Sequence, residues 1–116
     1  METLGQKQRR FAKLVGQLIT WSYANGYELT FGDAFRSAEQ AKANAASGAG
    51  IANSLHCDRL AIDLNLFKLG QYLSDSAAYK PLGDYWKTLG DDCAWGGDFK
   101  TRPDGNHFSI RHGGRA

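Results

Sequence analysis

The sequence predicts an α+β domain in which a small antiparallel sheet is flanked by helices. The 116 residues are 42% hydrophobic and 22% charged, which is typical of one folded domain, here residues 1–116, rather than a disordered chain. Segments of helical periodicity alternate with segments in which apolar and polar residues alternate. These segments lack the strand–helix–strand rhythm of a parallel sheet, so antiparallel pairing is favoured.

Three segments predict helices. Residues 5–25 carry apolar side chains at helical spacing and predict an amphipathic helix. In "SAEQAKANAASG", Ser37 is followed three residues later by Gln40, a capping-box pattern that predicts the start of a second helix. Residues 76–90 carry a third apolar stripe, with Pro81 placed in the first turn, where proline is tolerated.

Alternating segments predict the strands. "YELTF" at residues 27–31 predicts a half-buried strand, and the small residues 48–55 predict a loop. In "LAIDLNLF" the leucines and the isoleucine share one face, which we assign to the core, and Asp63 lies on the other face. After a turn at "KLGQ", the stretches "CAWGGDF" and "HFSIR" predict two further short strands.

Composition excludes several functional classes. The chain has 14 Lys and Arg against 12 Asp and Glu, and it has no basic patch interleaved with aromatic residues, so we expect no nucleic-acid partner. No apolar run approaches the roughly 20 residues of a membrane span, and the N-terminal segment does not resemble a signal peptide. Cys57 and Cys93 form no disulfide framework, which favours free thiols and synthesis in the cytoplasm.

A possible metal site is distributed along the chain. His56 precedes Asp63 by seven residues, and His107 follows far downstream; two imidazoles and a carboxylate match the three protein ligands of a hydrolytic zinc site. Asp104, three residues before His107, is placed to act as a general base towards an activated water. The spacing alone leaves open that these are ordinary buried or surface residues. His112 and Cys57 are expected to face away.

The same segments resemble a known family. "SLHCDRLAIDLNLF" is similar to the S-x-H-x(6)-D motif of the M15 zinc metallopeptidases, and "AYKPLGDYWKTLG", "WGGDF" and "DGNHFS" continue the resemblance in order. The resemblance spans about residues 36–109. It departs at Arg59, where many members have glycine, and at Ser109, where many have an acidic residue.

The resemblance implies a fold and a set of roles. The fold is that shared by D,D-peptidases and hedgehog-type domains. Zinc binding is assigned to the three residues named above, and general acid–base catalysis to Asp104. Arg36 matches an arginine that faces the substrate and neutralises charge developing on the attacked carbonyl. Ser54 matches a serine that hydrogen-bonds a substrate carboxylate. From the residues alone, Arg36 would be assigned to a surface ion pair with Asp33 or Glu39, and Ser54 to a turn.

The resemblance also implies a substrate, the stem peptides of peptidoglycan. We expect a monomeric L-alanyl-D-glutamate endopeptidase of the phage-lysis type, made in the cytoplasm and released to the wall through a holin. The alternatives are a D-Ala-D-Ala carboxypeptidase, and a non-catalytic wall-binding or phage structural module. The second alternative is disfavoured because all three ligands and Asp104 are present. A metal-dependent nuclease is disfavoured by the near-neutral charge.

Overall fold

The computed structural model describes residues 1–48 and 54–116, and it confirms the predicted α+β class with an antiparallel sheet and flanking helices. The helices and strands of the described residues are α1 (Leu4–Ala24), β1 (Tyr27–Phe31), α2 (Ala38–Ala46), β2 (Ala61–Lys68), β3 (Gln71–Leu73), α3 (Lys80–Thr88), β4 (Cys93–Trp95) and β5 (His107–Ile110). Short 3-10 turns span Leu55–Asp58, Ser76–Tyr79 and Gly96–Asp98.

Strand β2 is the centre of the sheet. Its last five residues, 64–68, pair antiparallel with β1 along one edge. Along the other edge, β5 pairs with the first part of β2 and β3 pairs with the last part. Strand β4 pairs with β5. Because β5 pairs with the first part of β2, side chains there meet residues from a distant part of the chain.

The core forms where the helices pack on the apolar face of the sheet. Helix α1 begins with a capping box between Thr3 and Gln6, which satisfies free amides of its first turn. Phe11 of this helix meets the Trp86 ring edge-on at 5.8 Å. Leu60 just before β2, and then Ile62, Leu64 and Leu66, are buried on its core face as the alternation predicted, and Ala61 on the opposite face is buried as well.

Two local details differ from the sequence-based predictions. The segment 76–90 is not one helix: a 3-10 turn, capped by the Asp75 side chain, precedes α3, whose first turn contains Pro81 as expected. The turn at "KLGQ" also continues into β3, which was not predicted. Leu69 and Gly70 both adopt positive φ angles (52° and 75°), and two such residues form a tight hairpin turn. Leucine is unusual there, so the sequence lacks the common hairpin signature.

The predicted loop at residues 48–55 lies partly outside the described residues, since 49–53 are not described. The start of α2 agrees with prediction, because the Ser37 hydroxyl accepts a hydrogen bond from the Gln40 amide. The Gln40 side chain donates to Asn44 and does not make the return hydrogen bond to Ser37 that a full capping box requires. Within the described ranges, no helix combines the length and apolar character that crossing a membrane requires.

Candidate active site and metal centre

The structure brings His56, Asp63 and His107 together. His56 lies in the 3-10 turn that precedes β2, Asp63 lies in β2, and His107 opens β5. The antiparallel register sets Asp63 directly opposite His107, and such cross-strand neighbours are in side-chain contact. One nitrogen or oxygen from each residue lies within 4.8 Å of the other two. The three elements therefore deliver two imidazoles and one carboxylate to one point.

The atoms that face this point can be identified. His56 Nε2 lies 3.3 Å from Asp63 Oδ1, and His107 Nδ1 lies 3.6 Å from the same oxygen. On the other side of its ring, His56 Nδ1 lies 3.4 Å from the carbonyl oxygen of Ala34. Because a carbonyl only accepts, this contact favours a proton on Nδ1 and leaves the Nε2 lone pair free to bind a metal.

The environment of Asp63 favours the charged carboxylate. Burial opposes ionisation, but the approach of His107 and His56 outweighs it and lowers the pKa of Asp63 to about 2. Oδ1 is buried, yet no described group makes a well-formed hydrogen bond to it. A cation bound between this oxygen and the two ring nitrogens would satisfy that atom.

The donor set suits zinc. Zinc accepts imidazole nitrogen and carboxylate oxygen, and hydrolytic sites use three protein ligands with a fourth position left open. His56 and His107 are 3% and 7% exposed, so both rings are held by packing. Cys57 is not part of the group: its sulfur lies 3.9 Å from the carbonyl oxygen of Ser37. His112 also lies elsewhere, with Nδ1 3.4 Å from the Lys7 amine.

The loop between β1 and α2 supports the ligands from one side. The Asp63 amide donates to the Asp33 carbonyl, and the Asp63 carbonyl accepts from the Gly32 amide, each at 2.8 Å. A Cβ at Gly32 would lie only 3.0 Å from the Asp63 Cβ, so the close approach favours glycine. The Arg36 amide donates to the His56 carbonyl at 3.2 Å. This loop therefore ties both the aspartate and the first histidine in place.

Arg36 reaches the cleft while retaining an ion pair. Its guanidinium bonds the Asp33 carboxylate at 2.9 Å, one of the two partners considered from sequence alone. Its side chain is nevertheless only 12% exposed and lines the same cavity as the ligands. Asp33 can thus hold the guanidinium in one orientation, with the remaining N–H donors available to a substrate.

Asp104 is held in a turn beside His107. Its amide donates to the Gly96 carbonyl at 2.8 Å, and its carbonyl accepts from the His107 amide at 3.1 Å. Desolvation and the nearby Asp63 carboxylate raise the pKa of Asp104 above its usual range. A raised pKa suits a carboxylate that must take up and release a proton.

Residues of the motif "WGGDF" pack against the turn that contains Asp104 and hold it in place, a role that sequence reasoning did not assign. The Trp95 indole N–H donates to the Gly105 carbonyl at 2.7 Å. A Cβ on Gly96 would lie 2.1 Å from the Asp104 carbonyl oxygen and 2.8 Å from the His107 Cβ. Only a residue without a side chain permits this approach. Asp98, by contrast, forms an exposed ion pair with Lys87 at 2.7 Å.

Asp63 and His107 open into a cleft of about 480 Å³. Arg36 and Ser54 line it together with the ligands Asp63 and His107 and the neighbouring Asp104. The buried Ser54 hydroxyl accepts from the His56 amide at 3.1 Å, as the cap of its 3-10 turn, and its own proton remains available to donate. Ser54 therefore combines the turn role with a position in the cleft.

The comparison with protein families decides the classification. The M15 peptidase model described as D-alanyl-D-alanine carboxypeptidase matches residues 47–110, more than half of the chain. The chain belongs to the M15 peptidases. It is therefore a metallopeptidase of a family that acts on peptidoglycan, and the resemblance stated from its motifs is confirmed. Family membership and the donor set together confirm the predicted zinc cofactor.

Solved structures share the fold of this M15 peptidase. The L-Ala D-Glu endopeptidase ChiX from Serratia marcescens aligns with a TM-score of 0.75 at 18% identity, covering 89% of this chain and 79% of ChiX. The vancomycin-resistance D,D-pentapeptidase VanY, an E175A mutant from a VanB-type cassette in complex with Zn(II), aligns with a TM-score of 0.59 at 17% identity, covering 87% and 70%. None of the curated protein sequences compared with the chain matches it.

Proposed function

We propose that this M15 peptidase is a zinc-dependent endopeptidase that hydrolyses the L-Ala–D-Glu bond in peptidoglycan stem peptides. The observation that carries the proposal is the convergence of His56, Asp63 and His107 in a cleft that Asp104 also lines. Zinc held by the three ligands would supply a Lewis acid and an activated water. The remaining steps belong to residues of the chain.

Asp104 is the proton carrier in this proposal. Its carboxylate takes a proton from the attacking water and later gives it to the nitrogen of the leaving D-Glu. Its raised pKa supports the first step in particular, because a carboxylate that ionises too easily is too weak a base to take the proton from the water. The turn contacts with Gly96 and His107 keep it beside the ligands.

Arg36 and Ser54 bind the substrate in this proposal. The Arg36 guanidinium, oriented by Asp33, offers donors to the carbonyl oxygen on which negative charge develops. The Ser54 hydroxyl offers one neutral donor from the floor of the cleft to a substrate carboxylate. Both side chains are held by local contacts, so little conformational entropy is lost on binding.

The endopeptidase is preferred to a D-Ala-D-Ala carboxypeptidase for two reasons. Asp104 is exposed and lines the cleft, so solvent and peptide can reach it. The alignment with ChiX also has a higher TM-score than that with VanY. The carboxypeptidase remains the second candidate because it is the description of the matching family model. The phage-lysis setting, the monomeric state and the single-domain organisation of residues 1–116 stay predictions.

The decisive experiment is a digest of purified peptidoglycan with and without a chelator, analysed by mass spectrometry. New D-Glu amino ends that disappear with chelator and return with zinc would support the endopeptidase. Release of single D-Ala residues would assign the carboxypeptidase instead. No cleavage by a folded, zinc-loaded sample would favour a non-catalytic wall-binding module.

A matched pair of variants separates catalysis from binding. Asp104→Asn should lower kcat by roughly 10²- to 10⁴-fold, the size of a general acid–base contribution, while zinc content stays unchanged. Asp84→Asn makes the same chemical change at an exposed residue of α3 that pairs with Lys80, and it should leave activity unchanged. Equal activity of the two variants would contradict the role given to Asp104.

A further inference from the structure

Arg102 is a second arginine in the cleft, and neither the family motifs nor the mechanism above uses it. It lies in the loop between the 3-10 turn Gly96–Asp98 and β5, two residues before Asp104. It is exposed and lines the cavity that contains the metal ligands. The cleft therefore carries a guanidinium at its outer edge in addition to that of Arg36.

The two arginines differ in their partners. Arg36 is neutralised by Asp33 at 2.9 Å. Arg102 donates from Nη2 to the carbonyl oxygen of Gly48 at 3.3 Å, and within residues 1–48 and 54–116 no carboxylate lies at ion-pair distance from it. A backbone carbonyl does not neutralise a guanidinium, which has further N–H donors in a planar fork suited to a carboxylate. Arg102 can therefore bind an external anion.

The position of Arg102 indicates which part of the substrate it meets. Asp104 delivers a proton to the leaving nitrogen, so the residue that follows the scissile bond must lie on the Asp104 side of the cleft. Arg102 is on the same loop as Asp104, two residues before it, and lines the same cavity. In a stem peptide, D-Glu is linked onward through its side chain, and its free α-carboxylate sits on the carbon that bears the leaving nitrogen.

We propose that Arg102 binds this free α-carboxylate and makes the enzyme selective for D-Glu over its α-amidated form. The assignment rests on the endopeptidase function proposed above. Asp33 neutralises Arg36, and the proposed metal would neutralise Asp63. Among the described residues that line the cleft, Arg102 is then the cation that has no carboxylate at ion-pair distance. Ser54 adds a neutral hydrogen bond, whereas Arg102 supplies the charge that distinguishes a carboxylate from a carboxamide.

The test uses two synthetic peptides that differ in one group. The first is N-acetyl-L-Ala-γ-D-Glu-L-Lys, and the second carries a carboxamide in place of the D-Glu α-carboxylate. The native protein should cleave the first with a kcat/KM about fivefold higher, the upper end of what an ion pair contributes at a solvent-exposed position. Arg102→Gln should lose that factor on the carboxylate peptide and stay within about twofold on the carboxamide, whereas Arg102→Lys should retain part of the preference.

Controls separate recognition from a structural effect. Lys100→Gln removes one positive charge from the same loop at an exposed residue outside the cleft lining, and it should leave the ratio of the two rates unchanged. If Arg102 only braces the loop against Gly48, Arg102→Gln will lower both rates equally. That result, or an unchanged ratio, would overturn the assignment.

The outcome is separable from failure of the proposed function. If the native protein cleaves D-Ala–D-Ala instead, the endopeptidase is wrong, and the comparison moves to N-acetylated D-Ala-D-Ala peptides with a free or an amidated terminus. There too the carboxylate is on the residue after the scissile bond, and an Arg102-dependent preference would keep the assignment. If neither bond is cut, the affinities of the carboxylate and carboxamide peptides are measured by calorimetry for the zinc-loaded native and Arg102→Gln proteins. If both proteins prefer the carboxylate peptide to the same degree, the role assigned to Arg102 is overturned.

Discussion

Gly96→Ala tests whether close backbone packing positions the catalytic turn. The added Cβ would lie 2.1 Å from the Asp104 carbonyl oxygen, where ordinary contacts begin near 3.4 Å. The turn must therefore retreat by about 1 Å, the misplacement that typically lowers turnover by roughly 100-fold. The same Cβ would meet the His107 Cβ at 2.8 Å, so this residue, a ligand in the proposed zinc site, is displaced as well.

The magnitudes follow from these contacts. Inserting a methyl group into a packed region typically costs about 1–3 kcal/mol of stability, and the Asp104–Gly96 hydrogen bond is strained in addition. Displacing the support of a metal ligand typically weakens metal binding by roughly 10- to 100-fold. We therefore expect Gly96→Ala to fold with a lower Tm, to bind zinc more weakly and to lose nearly all activity.

The assay combines three measurements on one preparation: thermal unfolding, zinc affinity by competition with a chromogenic chelator, and kcat/KM on a stem peptide. Gly16→Ala is the matched control, because nothing lies within 4 Å of a Cβ built at this position in α1. It should raise stability by about 0.5–1 kcal/mol, since alanine is the better helix former, and leave activity unchanged. Native-like zinc affinity and turnover in Gly96→Ala would refute the reasoning.

Three further predictions concern the turn, the metal and acid stability. Trp95→Phe removes the indole donor to Gly105, so it should lower the unfolding free energy by about 1–3 kcal/mol and also lower kcat. Tyr79→Phe removes the hydroxyl that accepts from a buried amide of β2, so it should lower the unfolding free energy by a similar amount and leave kcat unchanged. Urea unfolding and steady-state kinetics on both variants test this difference. Zinc should raise the unfolding free energy by about 2.7 kcal/mol at 100 times its Kd, and a chelator should reverse this in a calorimeter. Arg10 lowers the pKa of Asp92 in the folded state, so their interaction stabilises the fold at neutral pH and is lost as the pH falls through that lowered pKa. The native protein should therefore lose unfolding free energy between roughly pH 5 and pH 2, and Arg10→Gln should lose less over the same range. Urea unfolding at a series of pH values measures this.

Local patterns predicted much of the secondary structure. The alternation in "LAIDLNLF" separated the buried leucines from Asp63, and the spacing of apolar residues predicted α1 almost to its ends. Both signals report the periodicity of one element, which does not depend on partners. Strand β3 was not predicted because it is only three residues long and follows a turn in which leucine takes the place of a typical turn residue.

The sequence predicted which residues form the candidate site, but it did not predict how they are arranged in space. His56, Asp63 and His107 carry donor types that suit zinc, and their motif spacing identified the family. Ala34, Trp95 and Gly96 were missed because they act through backbone atoms or through close approach. A carbonyl oxygen or an absent side chain leaves no chemical signature in a single sequence.

The sequence by itself determined the residue types that could hold a metal, the helical and alternating segments and the balance of charge, because each depends on residue type or on neighbours along the chain. The tertiary structure alone decided that Asp63 faces His107 across two paired strands, that Asp33 orients Arg36, and that Arg102 reaches the cleft without a counter-charge. These facts depend on strand register and on contacts between residues far apart in sequence. Such contacts arise only when the elements pack around a shared core.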